Sequence, residues 1–288
     1  MSTPSLTKTF DTSLVDVQRS FSSTDTAPSE TSFKENHHPF QPQQDRNVKH
    51  VSTEELYTPW APTYDTDGNF LQAVDDLQTR SALPVLLARL ESYPNIDILD
   101  LGCGTGRTTM KLLQNARSGT RIAAWDASAE MLDLARKKCS SATPSNADLD
   151  FRQVDMSRPE RLPSENVFDI VFSTLVLEHI EATSFFGSIF RLLKPGGVAY
   201  VSNMHPDMGM ASVAGFDDED RRRVVGRSHL HGVQEAVSAA EAVGLKVQEE
   251  SVSEVAVTAD MIDRGLVPER GRKWIGKNVW FGLTVMKR

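Results

Sequence analysis

Apolar runs and amphipathic stretches alternate along the central and C-terminal parts of the chain. Runs of apolar residues predict buried strands near 96–101, 121–126, 149–154, 167–173, 197–203, 245–253 and 278–286. Stretches with helical spacing lie between them, and the helix before the sixth strand keeps its apolar residues on one face from Val233 to Val243. Gly244 then ends that helix. The alternation predicts an α/β fold, with a mostly parallel sheet and helices on both faces.

The first strand runs into a loop with three alternating glycines. Residues 98–107 read ILDLGCGTGR, so an apolar run closes on an acid and continues into Gly102, Gly104 and Gly106. Glycines at the carboxyl end of a parallel strand let the backbone approach a ligand closely. In the dinucleotide fingerprint G-x-G-x-x-G, the third glycine would stand at Arg107. The spacing therefore counts against NAD and FAD.

The second strand ends on an acid. Residues 121–126 read RIAAWD, and Ser128 opens the following helix. Asp126 is thus at the tip of the second strand, where a carboxylate can accept hydrogen bonds from ribose hydroxyls. Together with the glycine loop, this acid predicts a ligand that contains a nucleoside.

At this point the chain resembles the class I S-adenosylmethionine-dependent methyltransferases, in particular the small-molecule branch that includes ubiquinone and menaquinone biosynthesis enzymes. The matching words, in family order, are LDLGCGTG at 99–106, WDASAEMLDLAR at 125–136, VDMSRPERLP at 154–163, FDIVFSTLVLEHI at 168–180 and LLKPGGVAYVS at 192–202. The resemblance implies S-adenosyl-L-methionine as the cofactor. It also implies a Rossmann-like sheet of seven strands in the order 3-2-1-4-5-7-6, with the seventh strand antiparallel.

The resemblance also implies roles for residues at the carboxyl ends of the strands. It places Tyr64 at the methionine carboxylate, Asp100 near the sulfonium and amino group, Asp126 at the ribose and Asp155 at the adenine amino group. The other residues expected in the cofactor pocket are Gly102, Cys103, Gly104, Gly106, Ala127, Met131, Met156, Ser173 and Leu175.

A methyl acceptor that arrives protonated needs a base, and imidazole suits proton removal near neutrality. His205 directly follows the fifth strand and is the first candidate. His229 and His231 are the alternatives in the same insertion, and His179 in the LEHI word is a weaker one. A loop histidine without a catalytic task is the competing interpretation of His205.

Four further residues are expected beside the acceptor. Tyr57 and Trp60 lie in an aromatic and proline-rich segment, Met204 ends the fifth strand, and Trp274 precedes the seventh. For both tryptophans, packing against the core is an open alternative to substrate contact.

Composition changes character along the chain. Residues 1–48 are rich in Ser, Thr, Pro, Gln and Asn and lack an apolar period, so they predict a disordered tail. Residues 49–288 predict the methyltransferase domain. Within it, 49–92 is expected to form a lid whose two helices cover 70–77 and 84–90, with Pro84 in a first helical turn. Substrate-side insertions are expected at 204–231 and 256–275.

Charge and cysteine content narrow the classes of partner. A net charge of −8 counts against a dedicated nucleic-acid binder, and two cysteines make neither a disulfide framework nor a metal site. No apolar run is long enough to span a membrane. Acidic residues in the tail argue against a mitochondrial transit peptide. We therefore expect a small-molecule acceptor, no metal and a cytoplasmic location, with the nucleus as the alternative.

These observations predict methyl transfer from S-adenosylmethionine to a small organic acceptor, in quinone-like or specialised metabolism. Transfer to oxygen, nitrogen, sulfur or carbon stays open. Two other functions also stay open. One is a cofactor-binding regulatory protein that acts through its N-terminal tail, and the other is a protein or RNA methyltransferase.

Overall fold

A computed structural model describes residues 48–51, 55, 61, 64–66, 68–141, 147–157, 162, 165–211, 215–217, 223–226 and 228–288. The predicted tail, apart from its last residue, lies outside these ranges. Among the residues described, no helix is long and apolar enough to cross a membrane.

Strands and helices alternate through most of the described chain. The strands are β1 (Val48–Val51), β2 (Ile96–Leu101), β3 (Thr120–Asp126), β4 (Asp148–Gln153), β5 (Phe168–Thr174), β6 (Leu193–Met204), β7 (Gly215–Asp217), β8 (Arg223–Gly226), β9 (Leu245–Val247), β10 (Ser253–Ala256) and β11 (Asn278–Lys287). The helices are α1 (Phe70–Ala88), α2 (Arg107–Asn115), α3 (Ala129–Ser140), α4 (Ala182–Leu192), α5 (Pro206–Ala211), α6 (Val233–Ala242) and α7 (Ala259–Asp263). Short 3₁₀ turns cover Leu177–His179, Glu249–Ser251 and Glu269–Trp274.

The large sheet has the strand order β10-β11-β6-β5-β2-β3-β4, and β9 also pairs with β11. Strands β2 to β6 run parallel, and β11 is antiparallel to β6. Counting the predicted strands in chain order, this confirms the expected arrangement 3-2-1-4-5-7-6. The order reverses between β2 and β5, and ligands of open α/β sheets bind beyond the carboxyl ends at such a point.

The predicted sixth strand is divided into two. Residues 245–253 were expected to form one strand, but β9 ends at Val247 and a 3₁₀ turn precedes β10. Ser251 explains the break, because its hydroxyl accepts a hydrogen bond from Thr284 N at 2.8 Å, in place of a backbone partner. The three polar residues 248–250 also favour an exposed turn over a buried strand.

The two helices expected at 70–77 and 84–90 form a single helix, α1. Asn69 caps its start, with Oδ1 accepting from Leu71 N at 3.0 Å. Pro84 therefore lies inside the helix and not in a first turn, and it removes one backbone hydrogen bond. Leu83 and Leu86 are buried on either side of Pro84, so packing holds the helix together across it.

Core clusters cover both faces of the sheet. Alternate residues of β2 point to opposite faces, so Leu99 joins the cluster with α4 and α6, while Ile98 joins the cluster with α1 and α2. Helices on both faces leave the carboxyl ends of the strands as the accessible edge.

A second, smaller sheet has the order β1-β8-β7. Strand β1 pairs in parallel with β8, and β7 pairs antiparallel with β8. Val51, Val224 and Val225 are buried in this region. The N-terminal segment and the insertion at 204–231 are thus joined by backbone hydrogen bonds.

Candidate active site

A cavity of about 440 Å³ opens where β2, β3 and β5 end. This volume lies within the range of roughly 300–1,000 Å³ that is typical of ligand pockets. Many of the residues predicted to bind the cofactor lie on its wall: Tyr64, Gly102, Cys103, Gly104, Asp126, Ala127, Met131, Asp155, Met156 and Leu175. The tertiary structure thus brings together residues from five parts of the chain.

The three glycines of the loop have different roles. All have positive φ, of 75° at Gly102, 52° at Gly104 and 82° at Gly106. A Cβ on Gly102 would lie 2.4 Å from Val176 Cγ2, and one on Gly106 would lie 3.1 Å from Ala135. A Cβ on Gly104 would meet nothing within 4 Å, because that residue faces the cavity. Two glycines thus permit close packing, and the third leaves backbone open to a ligand.

Asp126 ends β3 and is oriented by two backbone amides. Its Oδ2 accepts from Gly104 N at 2.8 Å, and its Oδ1 accepts from Ser128 N at 2.9 Å. Burial raises the pKa of this carboxyl. Each carboxylate oxygen has a second lone pair, so Asp126 can also accept hydrogen bonds from hydroxyl groups in the cavity.

Three of the residues predicted to bind the cofactor lie behind the wall. Asp100 is fully buried, and its Oδ2 accepts from Thr109 Oγ1 at 2.5 Å. Burial raises the pKa of Asp100 to about 6. Ser173 donates to Leu101 O at 2.8 Å and links β5 to β2, while Gly106 precedes α2. Asp100 and Ser173 thus contact the elements on either side of the loop, and Gly106 connects the loop to α2.

The backbone is strained in the part of the cavity wall that follows β5. Leu175 has φ of 59°, which is uncommon for a bulky side chain, and it follows directly after β5. Its backbone N donates to Ser202 O at 2.9 Å. Val176, His179 and Ile180 continue the cavity wall from this point.

The insertion at 204–231 contributes His229 to the cavity wall. The backbone N of His229 donates to Glu178 O at 2.7 Å, which holds the imidazole on the wall. His231 stacks behind it with ring centroids 5.5 Å apart. Both nitrogens of His231 have partners, Ile180 O at 2.9 Å and Glu235 Oε1 at 3.1 Å. His231 therefore buttresses His229 and does not line the cavity.

His205, the first candidate for the base, is not on the cavity wall. Its ring is buried, with Nε2 2.8 Å from Glu254 Oε2 and Nδ1 accepting from Asp207 N at 3.1 Å. The preference for His205 rested on its position directly after the fifth strand. In the structure, β11 and β10 extend the sheet beside this strand, and β10 supplies the carboxylate that engages the imidazole.

Two of the four residues expected beside the acceptor belong to the described part of the chain, and neither of these two lines the cavity. Tyr57 and Trp60 lie outside the described residues. Met204 packs against the core cluster that contains α1. Trp274 is fully buried and stacks on Phe70 with ring centroids 5.8 Å apart, so the packing interpretation of this tryptophan applies.

Arg107 is a wall residue to which the sequence interpretation gave no role. Its guanidinium donates to Asp75 Oδ2 at 2.6 Å and also pairs with Asp76. Burial opposes the charge, but the two carboxylates outweigh it and raise the pKa of Arg107. A sequence signal for Arg107 did exist. This residue directly follows the glycine loop, at the position where the dinucleotide fingerprint has its third glycine. Other unassigned wall residues are Leu101, Thr105, Thr108, Ser128, Val154, Ser157, Thr174, Val176 and Ile180.

No group of His, Cys, Asp and Glu side chains in the described part of the chain could hold a metal ion.

Comparisons with known proteins identify the family of this chain. Residues 98–197 match the family described as a methyltransferase domain. An uncharacterized methyltransferase of Emericella nidulans, AN0656, is 37% identical over 264 residues, which cover 82% of this chain and 91% of that protein. The chain belongs to the class I S-adenosylmethionine-dependent methyltransferases.

Two further comparisons are more limited. A ubiquinone biosynthesis O-methyltransferase of Rhizobium rhizogenes is 30% identical over 124 residues, 43% of this chain. The match spans 47% of that relative's length. The structure of magnesium protoporphyrin IX methyltransferase from Synechocystis PCC 6803 with bound SAH has a TM-score of 0.54 and 16% identity. It covers 81% of this chain and 94% of that one, and at this identity the likeness shows the fold alone.

Proposed function

We propose that this methyltransferase transfers the methyl group of S-adenosylmethionine to a small organic acceptor within the 440 Å³ cavity. One observation carries the proposal. The glycine loop and Asp126 lie on the same wall as the imidazoles of His179 and His229. Residues suited to binding a nucleoside and candidate proton acceptors thus line the same cavity.

The residues present fit the cofactor. Asp126 has lone pairs available for the two hydroxyls of a ribose, and the open side of Gly104 leaves room for a ligand beside the loop. We propose that Asp155 and Met156 hold the adenine and that Tyr64 contacts the methionine end. Asp100 acts indirectly in this proposal, because it lies beneath the loop and orders it through Thr109.

When bound, S-adenosylmethionine supplies an electrophilic methyl group on a sulfonium. Holding two reactants at near-attack distance can contribute roughly 7–11 kcal/mol to lowering the barrier. Methyl transfer to the acceptor atom would release S-adenosylhomocysteine, and an imidazole would take any proton that the acceptor loses. We assign that proton to His229, because its ring lies on the wall and its backbone is anchored to Glu178.

The lining at this end supports a small and largely apolar acceptor. Leu175, Val176 and Ile180 line the same cavity as the two histidines. The Rhizobium relative, which is 30% identical over 124 residues, is named for ubiquinone biosynthesis. We therefore propose a quinone-like or specialised metabolite as the acceptor.

We also propose that the protein works in the cytoplasm. Cys103 and Cys139 are both buried and unpaired thiols, which suits a reducing compartment. A fluorescent fusion found only inside an oxidising compartment would contradict this proposal.

Calorimetric titration tests the cofactor part of the proposal. The wild type should bind S-adenosylhomocysteine, and Asp126→Ala should weaken binding at least about tenfold, since a hydrogen bond to a charged group contributes roughly 1.5–3 kcal/mol. Asp133→Ala is the matched control, because Asp133 is an exposed acid on α3 that pairs only with Arg136 among the described ion pairs. Saturable NAD binding without any response to S-adenosylhomocysteine would overturn the proposal.

A further inference from the structure

Three separate segments meet at Asp65. Its Oδ1 accepts from Thr105 Oγ1 at 2.7 Å, and its Oδ2 lies 2.8 Å from Lys138 Nζ. Lys138 Nζ also donates to Thr105 Oγ1 at 3.1 Å. The three side chains form a closed triangle of polar contacts, which we call the Asp65 triangle.

The Asp65 triangle connects the glycine loop to the segment that carries Tyr64. Tyr64, the residue before Asp65, is on the cavity wall. Thr105 is 1% exposed and stands between Gly104 and Gly106, whose positive φ values set its direction. Lys138 comes from the last turn of α3. Because Thr105 is held in the loop, its hydroxyl presents a fixed attachment point.

A carboxylate suits this position for a specific reason. Each donor reaches a different oxygen of Asp65, and an amide in its place would offer only one acceptor oxygen. An exposed ion pair alone would contribute little, and the Asp65 side chain is 38% exposed. The buried Thr105 hydroxyl adds a contact that water screens less.

We propose that Asp65 is a positioning residue that fastens the Tyr64 segment across the cofactor end of the cavity, so that opening of the Asp65 triangle controls cofactor release. This inference rests on the proposed function, because it assumes that the cavity holds the cofactor. Asp65 acts through Tyr64 and the loop, and it is not itself on the wall.

Release of S-adenosylhomocysteine, followed by stopped-flow, tests the inference. Asp65→Asn should speed release about tenfold, because one of two charge-assisted contacts is lost. Lys138→Met should act in the same direction, and the double variant should be no faster than the faster single one, since both changes open the same triangle. Lys137→Met is the matched control, because it removes the same charge from the same helical turn outside the triangle.

The outcomes separate this inference from the proposed function. If the wild type does not bind S-adenosylhomocysteine, the proposed function itself fails. If the wild type binds it and Asp65→Asn releases it at the wild-type rate, the positioning role is wrong and the proposed function stands.

A second measurement needs no ligand. The chain has four tyrosines, so labelling with 3-fluorotyrosine gives a simple ¹⁹F spectrum in which Tyr64→Phe identifies one signal. Asp65→Asn should shift and narrow the Tyr64 signal and leave those of Tyr93 and Tyr200 in place. An unchanged Tyr64 signal, or equal changes in all the signals, would contradict a positioning role.

Discussion

Replacing Glu178 with glutamine should stabilise the protein at neutral and alkaline pH. The Glu178 side chain is only 14% exposed, and its Oε2 has no hydrogen-bond partner among the described residues. Oε1 lies 3.6 Å from His179 Nε2. Burial raises the pKa of this carboxyl from 4.5 to about 7. At 1.36 kcal/mol per pKa unit, ionised Glu178 costs the folded state up to about 3 kcal/mol.

Because the pKa of Glu178 is raised in the folded state, the cost of its charge depends on pH. Between pH 4.5 and about 7 the folded protein keeps a proton on Glu178 that the unfolded chain has released. The cost is therefore absent below pH 4.5, grows through this window and is complete above it. Glutamine is neutral throughout, so the stability gain of Glu178→Gln should appear across the same window.

Urea unfolding of both proteins at pH 5, 6, 7 and 8 measures the difference. Glu181→Gln is an informative companion, because its carboxylate accepts from the backbone N of Thr183 and Ser184, and these hydrogen bonds lower the pKa of Glu181 to about 2. The same chemical change three residues away should thus destabilise the protein near neutrality. If Glu178→Gln is no more stable than the wild type at pH 8, the charge of Glu178 is compensated and the reasoning fails.

Three further outcomes are expected. His229→Ala should lower kcat by roughly 10²–10⁴-fold with an acceptor that must lose a proton, whereas His205→Ala should change kcat far less; equal losses in the two variants would contradict the assignment of the base. Gly102→Ala should destabilise the fold in thermal unfolding, because its Cβ would lie 2.4 Å from Val176 at a φ of +75°; an unchanged Tm would show that the loop relaxes freely. Trp274→Ala should lower the free energy of unfolding in urea by about 3–5 kcal/mol. The affinity for S-adenosylhomocysteine should stay unchanged, and a weakened affinity would show that Trp274 contributes to ligand binding.

The amino-acid sequence by itself determined most strands of the large sheet and the glycine-loop end of the cavity. Both depend on local patterns, since apolar runs define strands and glycines define a loop with positive φ. Asp126 could be identified from its place at a strand end alone, because the carboxyl ends of parallel strands share one edge. The expectations for β2, β3, β5 and the glycine loop needed no long-range information.

Only the tertiary structure decided which histidines line the cavity. Proximity in the chain favoured His205, but Glu254 of β10, 49 residues later, engages its ring. His229 reaches the wall because its backbone N donates to Glu178 O, a contact between an insertion and the 3₁₀ turn that follows β5. The Asp65 triangle likewise joins residues that are 40 and 33 positions apart. Such contacts depend on how separate segments pack, and packing between distant segments leaves no periodic signal in the sequence.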